Sequence, residues 1–474
     1  MAARILEALA GVVGADEVLT GDAAQPYLQE WRGAFQPRAL AVVRPADTAM
    51  VAAVVRACID ADCAIVAQSG NTGLVGGCAA DDARRHVILS LERLSAVRGI
   101  DVDNATLTVE AGCTLADAQR AAADAGLYFP LTLASRERCR IGGNLATNAG
   151  GLNVVHYGNT RDLVLGLEVV TADGRVWNNL TGLRKDNSGF DLNDLFVGSE
   201  GALGIITAAV FKLHSPIVQQ SVALFGLDTP AQAVGVQRRL TAASGHNLTG
   251  CELMSRQAVA LACAHIEGCA EPFEAACDWY LLVELASSAS GDWLAAALDG
   301  AIADLRAEGI VRSVRVAADA AGARDLWHLR ESLPPAQVAE GASIKHDISL
   351  PVSRLPAFLD RALPAVREAL PGVRPCPFGH VGDGNLHFNL SKPAGSDDAA
   401  FLSETARANA VVHDIVAEMG GSFAAEHGIG RLKVAALARY KQPVERDMLI
   451  AIKRALDPDN RLNPGAVVDL DAPS

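Results

Sequence analysis

The segment Ile141–Gly151 reads IGGNLATNAGG and places four glycines and two asparagines within eleven residues. A similar cluster, SGNTGLVGG, spans residues 69–77. Small residues let backbone N–H groups converge, and Asn and Thr side chains add further donors, so both clusters suit a pyrophosphate. Tight turns are the alternative explanation, because glycine is also the common turn residue. The first strand near the N-terminus is not followed by the GxGxxG motif of a Rossmann unit.

Strand and helix patterns surround both clusters. ALAVVRP, CAIVAQ, HVILSL and ATLTVEAG predict strands, and Asp47 and Thr114 each stand where a helix N-cap is expected. Downstream of the second cluster, the stretch 198–207, GSEGALGIIT, forms a glycine-punctuated turn that leads into a strand, and a buried Glu200 there would need hydrogen-bond donors. These patterns predict a compact α+β unit.

The pattern changes near Pro216. From there strands such as SVALFGL and YLLVELAS alternate with helices, which predicts a second α/β domain with an antiparallel or mixed sheet. The last eighty residues are mostly helical in pattern. We therefore expect three parts, namely 1–215, 216–395 and 396–474.

The composition excludes several classes of protein. The net charge of −14 argues against nucleic-acid binding, which needs a basic field. The ten cysteines form no CxxC pair and sit mostly among apolar neighbours, as buried free thiols do, so a reducing, cytoplasmic compartment fits. Charged residues interrupt every long apolar run, and the N-terminus reads as a short amphipathic helix, so neither a membrane span nor a secretory signal is expected.

A histidine-rich segment carries a candidate metal site. Residues 379–389 read GHVGDGNLHFN, and its end alternates with period two, so His387 and Asn389 share one face of the predicted strand. His380 precedes a glycine-rich turn that could fold it back towards His387. Glu426 and His427 stand side by side between glycines in AEHGIG. Two imidazoles and one carboxylate suit Zn²⁺, Mn²⁺ or a similar ion, although a histidine satisfied within the core is the commoner case.

Two basic residues are candidates for binding a substrate carboxylate. Arg330 offers a planar guanidinium, and Lys345 a point charge just before a strand-like segment. Isolated charges of this kind more often lie on a solvated face.

Five motifs resemble, in their order and their residues, those of the FAD-dependent D-2-hydroxyglutarate and D-lactate dehydrogenase group. This group belongs to the vanillyl-alcohol oxidase and p-cresol methylhydroxylase superfamily. The motifs are QSGNTGLVGG, IGGNLATNAGG, LRKDNSGFDLNDLFVGSEGALGIIT, FGHVGDGNLHFN and AEHGIG. The resemblance implies an α+β fold, with a p-cresol methylhydroxylase-type FAD-binding domain, an α/β substrate domain with an antiparallel sheet, and a C-terminal helical segment that completes the active site. It also implies a set of residues that bind non-covalent FAD: Ser69, Gly70, Asn71, Thr72, Gly73, Gly76, Pro130, Leu131, Gly142, Gly143, Asn148, Gly150, Gly151, Glu200, Gly204 and Ile206.

The resemblance further implies roles for the histidine-rich site. His380, His387 and Glu426 match the family's metal ligands, and His427 matches its general base and a substrate contact. Arg330, Lys345 and Asn389 match substrate-binding positions. The expected partners are a D-2-hydroxy acid and an electron acceptor such as an electron-transfer flavoprotein or a quinone-linked carrier. The oligomeric state stays open, with a homodimer as one candidate.

The expected reaction is the oxidation of D-2-hydroxyglutarate to 2-oxoglutarate, with hydride transfer to the flavin. Pro334 and His346 depart from residues common in hydroxyglutarate enzymes, so D-lactate, D-malate or a broad range of D-2-hydroxy acids is the first alternative. A non-catalytic FAD subunit of a larger oxidase is the second, and the His/His/Glu/His set argues against it.

Overall fold

The computed structural model describes residues 2–30, 33, 35–79 and 85–470. The chain divides into two compact units. Unit 1 comprises Met1–Gly151, Gly158–Pro216 and Glu426–Ser474, and unit 2 comprises Leu152–Tyr157 and Ile217–Ala425. The expected segment 396–474 is thus divided between the units after Ala425, so the three-part domain division stays a prediction.

The strands of unit 1 form two sheets among the described residues. The first has four strands in the order β1-β2-β4-β3, and the second has five in the order β5-β6-β9-β7-β8. Their ranges are β1 Val18–Leu19, β2 Ala41–Val43, β3 Ala64–Gln68, β4 His86–Ser90, β5 Val97–Asp101, β6 Thr106–Glu110, β7 Val164–Val170, β8 Val176–Asn178 and β9 Ile205–Lys212.

Unit 2 contains an eight-stranded antiparallel sheet within the described part of the chain. Its order is β13-β10-β12-β11-β16-β17-β14, and β15 pairs with β17. The ranges are β10 Gln219–Leu227, β11 Leu248–Ser255, β12 Trp279–Ser287, β13 Ser313–Val316, β14 Ser343–Ile344, β15 Asp347–Ser349, β16 Arg374–His380 and β17 Asn385–Ser391. This confirms the antiparallel sheet and the overall fold class expected from the sequence.

The helices follow the sequence patterns closely. Asp47 accepts a hydrogen bond from the amide of Met50, and Thr114 accepts one from Asp117, so both expected N-caps are confirmed. The helices of the described residues are α1 Ala2–Val13, α2 Thr48–Asp60, α3 Leu115–Asp124, α4 Ile141–Ala146, α5 Val154–Tyr157, α6 Thr160–Leu163, α7 Leu192–Phe196, α8 Pro230–Ala243, α9 Arg256–His265, α10 Trp293–Ala307, α11 Ala320–Glu331, α12 Leu333–Glu340, α13 Leu355–Ala369, α14 Asp398–Leu402, α15 Thr405–Glu418, α16 Val434–Tyr440 and α17 Pro443–Leu456. In these residues none of the helices combines the length and apolar character needed to cross a bilayer.

The C-terminal residues of the chain return to unit 1. Asn463 donates from its side chain to the carbonyls of Gly77 and Glu200, at 2.8 Å each, and Leu462 packs in the same apolar core as Ile65. Nearby, the buried ammonium of Lys453 lies 2.6 Å from a carboxylate oxygen of Asp457 and donates to two backbone carbonyls. The C-terminal segment therefore completes the core that supports the first glycine cluster.

Candidate active site

The two glycine clusters meet at one backbone carbonyl in unit 1. Ser69 Oγ donates to the carbonyl oxygen of Ala111 at 2.8 Å, and the amide of Gly142 donates to the same oxygen at 2.7 Å. Ala111 follows strand β6, so the sheet fixes the point at which the clusters converge. Clusters separated by about seventy residues in sequence thus form one continuous surface.

Steric crowding explains why glycine is needed on this surface. A Cβ atom at Gly70 would lie 2.8 Å from the carbonyl oxygen of Arg138, and one at Gly142 would lie 2.8 Å from Ala111 Cβ. Asn71 and Asn148 both adopt the left-handed conformation, with φ of 50° and 49°. Asparagine is one of the few residues that tolerate it.

Glu200 joins the second cluster to the C-terminal segment. Its amide donates to the carbonyl of Ala146 at 2.8 Å, and its carboxylate accepts from the amides of Ile429 and Gly430, at 2.7 Å each. These are the donors that the sequence required. Burial raises the pKa of Glu200 to about 7, against the lowering effect of the two amides. Both carboxylate oxygens thus already have backbone partners. The expected contact of Glu200 with a cofactor stays a prediction.

The residues of this surface fit a cofactor that carries a diphosphate. The side-chain Nδ2 of Asn144 is buried and has no hydrogen-bond partner among the described residues. It lies in α4, directly after Gly142 and Gly143. A donor without an acceptor beside a crowded glycine surface suits a ligand rich in oxygen acceptors.

The other expected cofactor residues lie on the same unit. Gly76 has φ of 70°, and a Cβ atom there would overlap the ring of Phe35. The carbonyl of Leu131 accepts from Gln119 at 2.6 Å, and that of Pro130 accepts from Thr132 at 3.2 Å. The remaining positions lie in the two clusters or at the start of β9: Thr72, Gly73, Gly150, Gly151, Gly204 and Ile206.

In unit 2, strand β17 has one core face and one polar face. Leu386, Phe388 and Leu390 are fully buried in the core, whereas His387 and Asn389 point the other way, as the period-two pattern predicted. His380 ends β16, and its ring centroid lies 5.5 Å from that of His387 in an edge-to-face arrangement. The turn between the strands thus folds His380 back towards His387, as expected.

A buried carboxylate that the sequence reasoning missed connects Arg330 to His380. Glu252 lies in β11 directly opposite His380 in β16. One of its oxygens accepts from Arg330 Nε at 2.8 Å and Nη2 at 2.7 Å, and the other lies 2.6 Å from His380 Nδ1. Burial raises the pKa of Glu252, but His380 and Arg330 together lower it to about 2. Arg330 also stacks on Phe378, 5.0 Å from the ring centroid.

A second carboxylate lies beside His387. Asp347 Oδ1 is 3.7 Å from His387 Nδ1 and accepts from Asn385 Nδ2 at 2.9 Å. Asp347 and His387 face each other across the β15–β17 pair. Two imidazoles with an adjacent carboxylate fit a divalent metal of the zinc type.

The other expected substrate contacts of unit 2 differ in exposure. Asn389 is buried, and its Nδ2 donates to Gln337 Oε1 at 2.8 Å. Lys345 is exposed in the short link between β14 and β15. Arg330 is buried and Lys345 is not, so the two cations meet very different dielectric environments.

Glu426 and His427 belong to unit 1. The carboxylate of Glu426 accepts from the amide of Gly151, the last glycine of the second cluster, at 3.2 Å. His427 Nε2 lies 3.5 Å from the other oxygen of Glu426. The sequence suggested this adjacency of Glu426 and His427, but not the link to Gly151.

A local signal existed for some of the missed residues. Glu252 is the single charged residue in LTGCELMS, a strand in which every residue is buried, and a carboxylate in such a strand needs partners. Asp347 is likewise a carboxylate at a buried position of a short strand, β15, and also needs partners. Asn463, in contrast, lies in a loop of ordinary composition and gave no signal.

Two family models match this chain. Residues 39–179 match the family model described as FAD binding domain, and residues 218–467 match FAD linked oxidases, C-terminal domain. The chain is 36% identical over 449 residues to D-2-hydroxyglutarate dehydrogenase of Xanthomonas citri pv. viticola, covering 94% of this chain and 93% of that one. It is 31% identical to D-2-hydroxyglutarate dehydrogenase of Stutzerimonas stutzeri, with 98% of each chain covered.

A solved structure shares the fold at low identity. The structure of p-cresol methylhydroxylase with substrate bound has a TM-score of 0.78 and 19% identity, and the match covers 100% of this chain and 98% of that one. This likeness confirms the expected fold. The two family models and the curated relatives show that the chain belongs to the FAD-linked oxidase family, in the group of FAD-dependent D-2-hydroxy acid dehydrogenases, and is an oxidoreductase.

Proposed function

We propose that this protein oxidises D-2-hydroxyglutarate to 2-oxoglutarate, with FAD as hydride acceptor and a divalent metal at the histidines of unit 2. The observation that carries the proposal is the buried Arg330 linked through one carboxylate to His380. A carboxylate-binding group and a metal-binding group are thereby held together. The names of the relatives in Xanthomonas and Stutzerimonas support the choice of substrate.

The proposed reaction removes a hydride and a proton from the secondary alcohol. The C2–H bond breaks with its electron pair, the hydroxyl loses H⁺, and C2 becomes a carbonyl. Bound FAD supplies the two-electron acceptor, and a bound metal lowers the pKa of the hydroxyl. In this scheme His380 and His387 hold the metal, together with Glu426 as the carboxylate expected from the sequence. Asp347 is a further carboxylate beside His387.

The chain's own residues would position the substrate and move the proton. His427 is proposed to accept the hydroxyl proton, because a neutral imidazole can take up H⁺ near neutral pH. Arg330 binds one substrate carboxylate, and the exposed Lys345 attracts the other. Asn389, fixed by Gln337, is proposed to contact the substrate through its remaining polar atom.

Anaerobic reduction of the flavin tests the proposal directly. The purified protein is mixed with the D and L forms of 2-hydroxyglutarate, lactate and malate, and bleaching of the flavin is followed by stopped flow. D-2-hydroxyglutarate is expected to give the fastest reduction, and L forms none. Removing the metal with a chelator should abolish reduction without releasing FAD. Unchanged reduction after complete metal removal would disprove the metal's role.

D-lactate, which has a single carboxylate, is the alternative that one observation favours. Lys345 is exposed, and an exposed ammonium binds a carboxylate weakly because water screens it. Faster bleaching by D-lactate than by D-2-hydroxyglutarate at equal concentration would select this alternative. A flavin spectrum with no bleaching by any acid would instead indicate a non-catalytic subunit. The electron acceptor, the cytoplasmic location and a homodimer stay predictions.

A further inference from the structure

Glu252 is the most deeply buried charged group near the proposed substrate and metal residues. Its side chain has no solvent exposure, and every residue of its strand β11 is buried. Charge is costly in such a place unless partners satisfy it. Three nitrogen donors from two different elements converge on its two oxygens, Arg330 in α11 and His380 in β16.

The two oxygens of Glu252 have separate partners. Oε2 accepts hydrogen bonds from Nε and Nη2 of Arg330, and Oε1 lies within hydrogen-bond distance of Nδ1 of His380. A carboxylate that pairs with a guanidinium accepts hydrogen bonds, so we assign the hydrogen of the His380 ring to Nδ1. In the neutral ring the lone pair is then on Nε2, the nitrogen that can bind a metal.

We propose that Glu252 is a positioning residue that sets the tautomer of His380 for metal binding and fixes the guanidinium of Arg330 for the substrate carboxylate. This inference rests on the proposed function, since it assigns the metal to His380 and the carboxylate to Arg330. It adds a residue that contacts neither the substrate nor the metal and acts through two residues that do.

The sheet register explains how one residue reaches both groups. Glu252 pairs with His380 across adjacent strands, where side chains on the same face are close neighbours. Arg330 lies near the end of α11, its guanidinium packed over Phe378, which lies two residues before His380 on β16. His380 is part of β16, and the guanidinium of Arg330 packs against β16. Both partners of Glu252 are thus held beside the same strand.

Glutamine is the sharpest replacement, because it keeps the shape but cannot satisfy both partners. If its oxygen accepts from His380, its NH₂ group faces the donors of Arg330. If its oxygen faces Arg330, its NH₂ group donates to Nδ1 and moves the imidazole hydrogen to Nε2, which blocks metal binding there. Glu252→Gln is therefore expected to weaken metal binding by about 10- to 100-fold.

A matched control exists in the neighbouring strand. Glu284 in β12 is a partly buried carboxylate of the same sheet, and it accepts from Thr249 at 2.9 Å and from the indole of Trp327 at 3.0 Å. Among the described residues its side chain bonds to Gln220, Thr249 and Trp327, and neither Arg330 nor His380 is one of its partners. Glu284→Gln tests the loss of a hydrogen-bonded carboxylate from the same sheet and is expected to change metal affinity by less than about threefold.

The experiment compares metal affinity in the FAD-containing wild type, Glu252→Gln and Glu284→Gln. Each protein is stripped of metal and titrated with Co²⁺ against a competing chelator, and the flavin spectrum reports that it is folded and loaded. Steady-state kinetics with D-2-hydroxyglutarate separates KM from kcat. The expected result is weakened Co²⁺ binding and a raised KM in Glu252→Gln only. Affinity equal to that of the wild type would overturn the proposal.

A second measurement needs no folded variant at position 252. Long-range ¹H–¹⁵N correlations of the imidazole rings in metal-free wild type report the tautomer of His380, assigned by the loss of its signals in His380→Gln. Hydrogen on Nδ1 is expected, and hydrogen on Nε2 would overturn the proposal. Failure of the proposed function looks different: the wild type itself would then bind no Co²⁺ at the histidines, or no D-2-hydroxy acid would bleach its flavin.

Discussion

The clearest quantitative consequence of the structure concerns Glu200. Its pKa lies at about 7 instead of the ordinary 4.5, chiefly because burial disfavours the charged form. This rise corresponds to about 3 kcal/mol of folding free energy linked to one proton. The folded protein holds the proton more tightly than the unfolded chain. The stabilisation is therefore complete below about pH 4.5 and is lost as the pH rises through about 7.

Glu200→Gln removes this titration and keeps the size of the side chain. The free energy of unfolding is measured by urea for FAD-loaded wild type and variant between about pH 4.5 and pH 8, with flavin fluorescence as the signal. The wild type should lose about 3 kcal/mol relative to the variant across this range. Glu137→Gln, which removes a carboxylate that is 70% exposed, controls for the loss of one charge.

A constant difference between wild type and Glu200→Gln over the whole pH range would refute this reasoning. It would mean that the carboxylate has the same proton affinity in the folded and unfolded chains. Infrared spectroscopy gives an independent check. In the difference spectrum of wild type minus variant, the band of a protonated carboxyl group should persist to about pH 7.

Three further outcomes are expected. Gly142→Ala should lower the FAD content, measured by flavin absorbance, at least about tenfold, because the new methyl group would lie 2.8 Å from Ala111 Cβ. The control Gly99→Ala places a methyl group where no atom lies within 4 Å and should leave the flavin absorbance unchanged. Lys453→Met should destabilise unit 1 by about 3–5 kcal/mol in urea unfolding, since it leaves its buried aspartate partner without a counter-charge. The same change at Lys441, in an exposed pair of equal spacing, should cost under about 1 kcal/mol. Lys345→Met should raise KM for D-2-hydroxyglutarate several-fold more than for D-lactate, and equal effects in steady-state assays would remove Lys345 from the binding of the second carboxylate.

Local patterns predicted the elements of this fold well. The period-two alternation of Leu386–Leu390 correctly assigned each side chain of β17 to a face, and Asp47 and Thr114 marked helix starts. These features depend on residues within one or two turns of each other, so the sequence contains them directly. The glycine clusters were recognisable for the same reason.

Contacts between distant segments could not be predicted in this way. Glu252 meets His380 because β11 and β16 pair in one register, and 128 residues separate the two. Arg330 was expected to bind a substrate carboxylate, and its partner Glu252, which two of its nitrogens face, was not foreseen. No local periodicity encodes such a register, because it is fixed by the packing of the whole sheet.

The return of the C-terminus to unit 1 has a consequence for how the chain folds during synthesis. The amide of Ile65 donates to the carbonyl of Arg461, and the carbonyl of Ile65 accepts from the amide of Asn463, at 2.8 Å each, so strand β3 gains these backbone partners only after the whole of unit 2 has been made. Unit 2 is almost continuous in sequence and emerges from the ribosome earlier as a complete set of strands. The N-terminal part of unit 1 therefore stays incompletely folded, with its apolar core exposed to solvent, while the residues of unit 2 are synthesised. Nascent chains stalled before Arg461 should therefore be protected from protease in unit 2 and cleaved in unit 1.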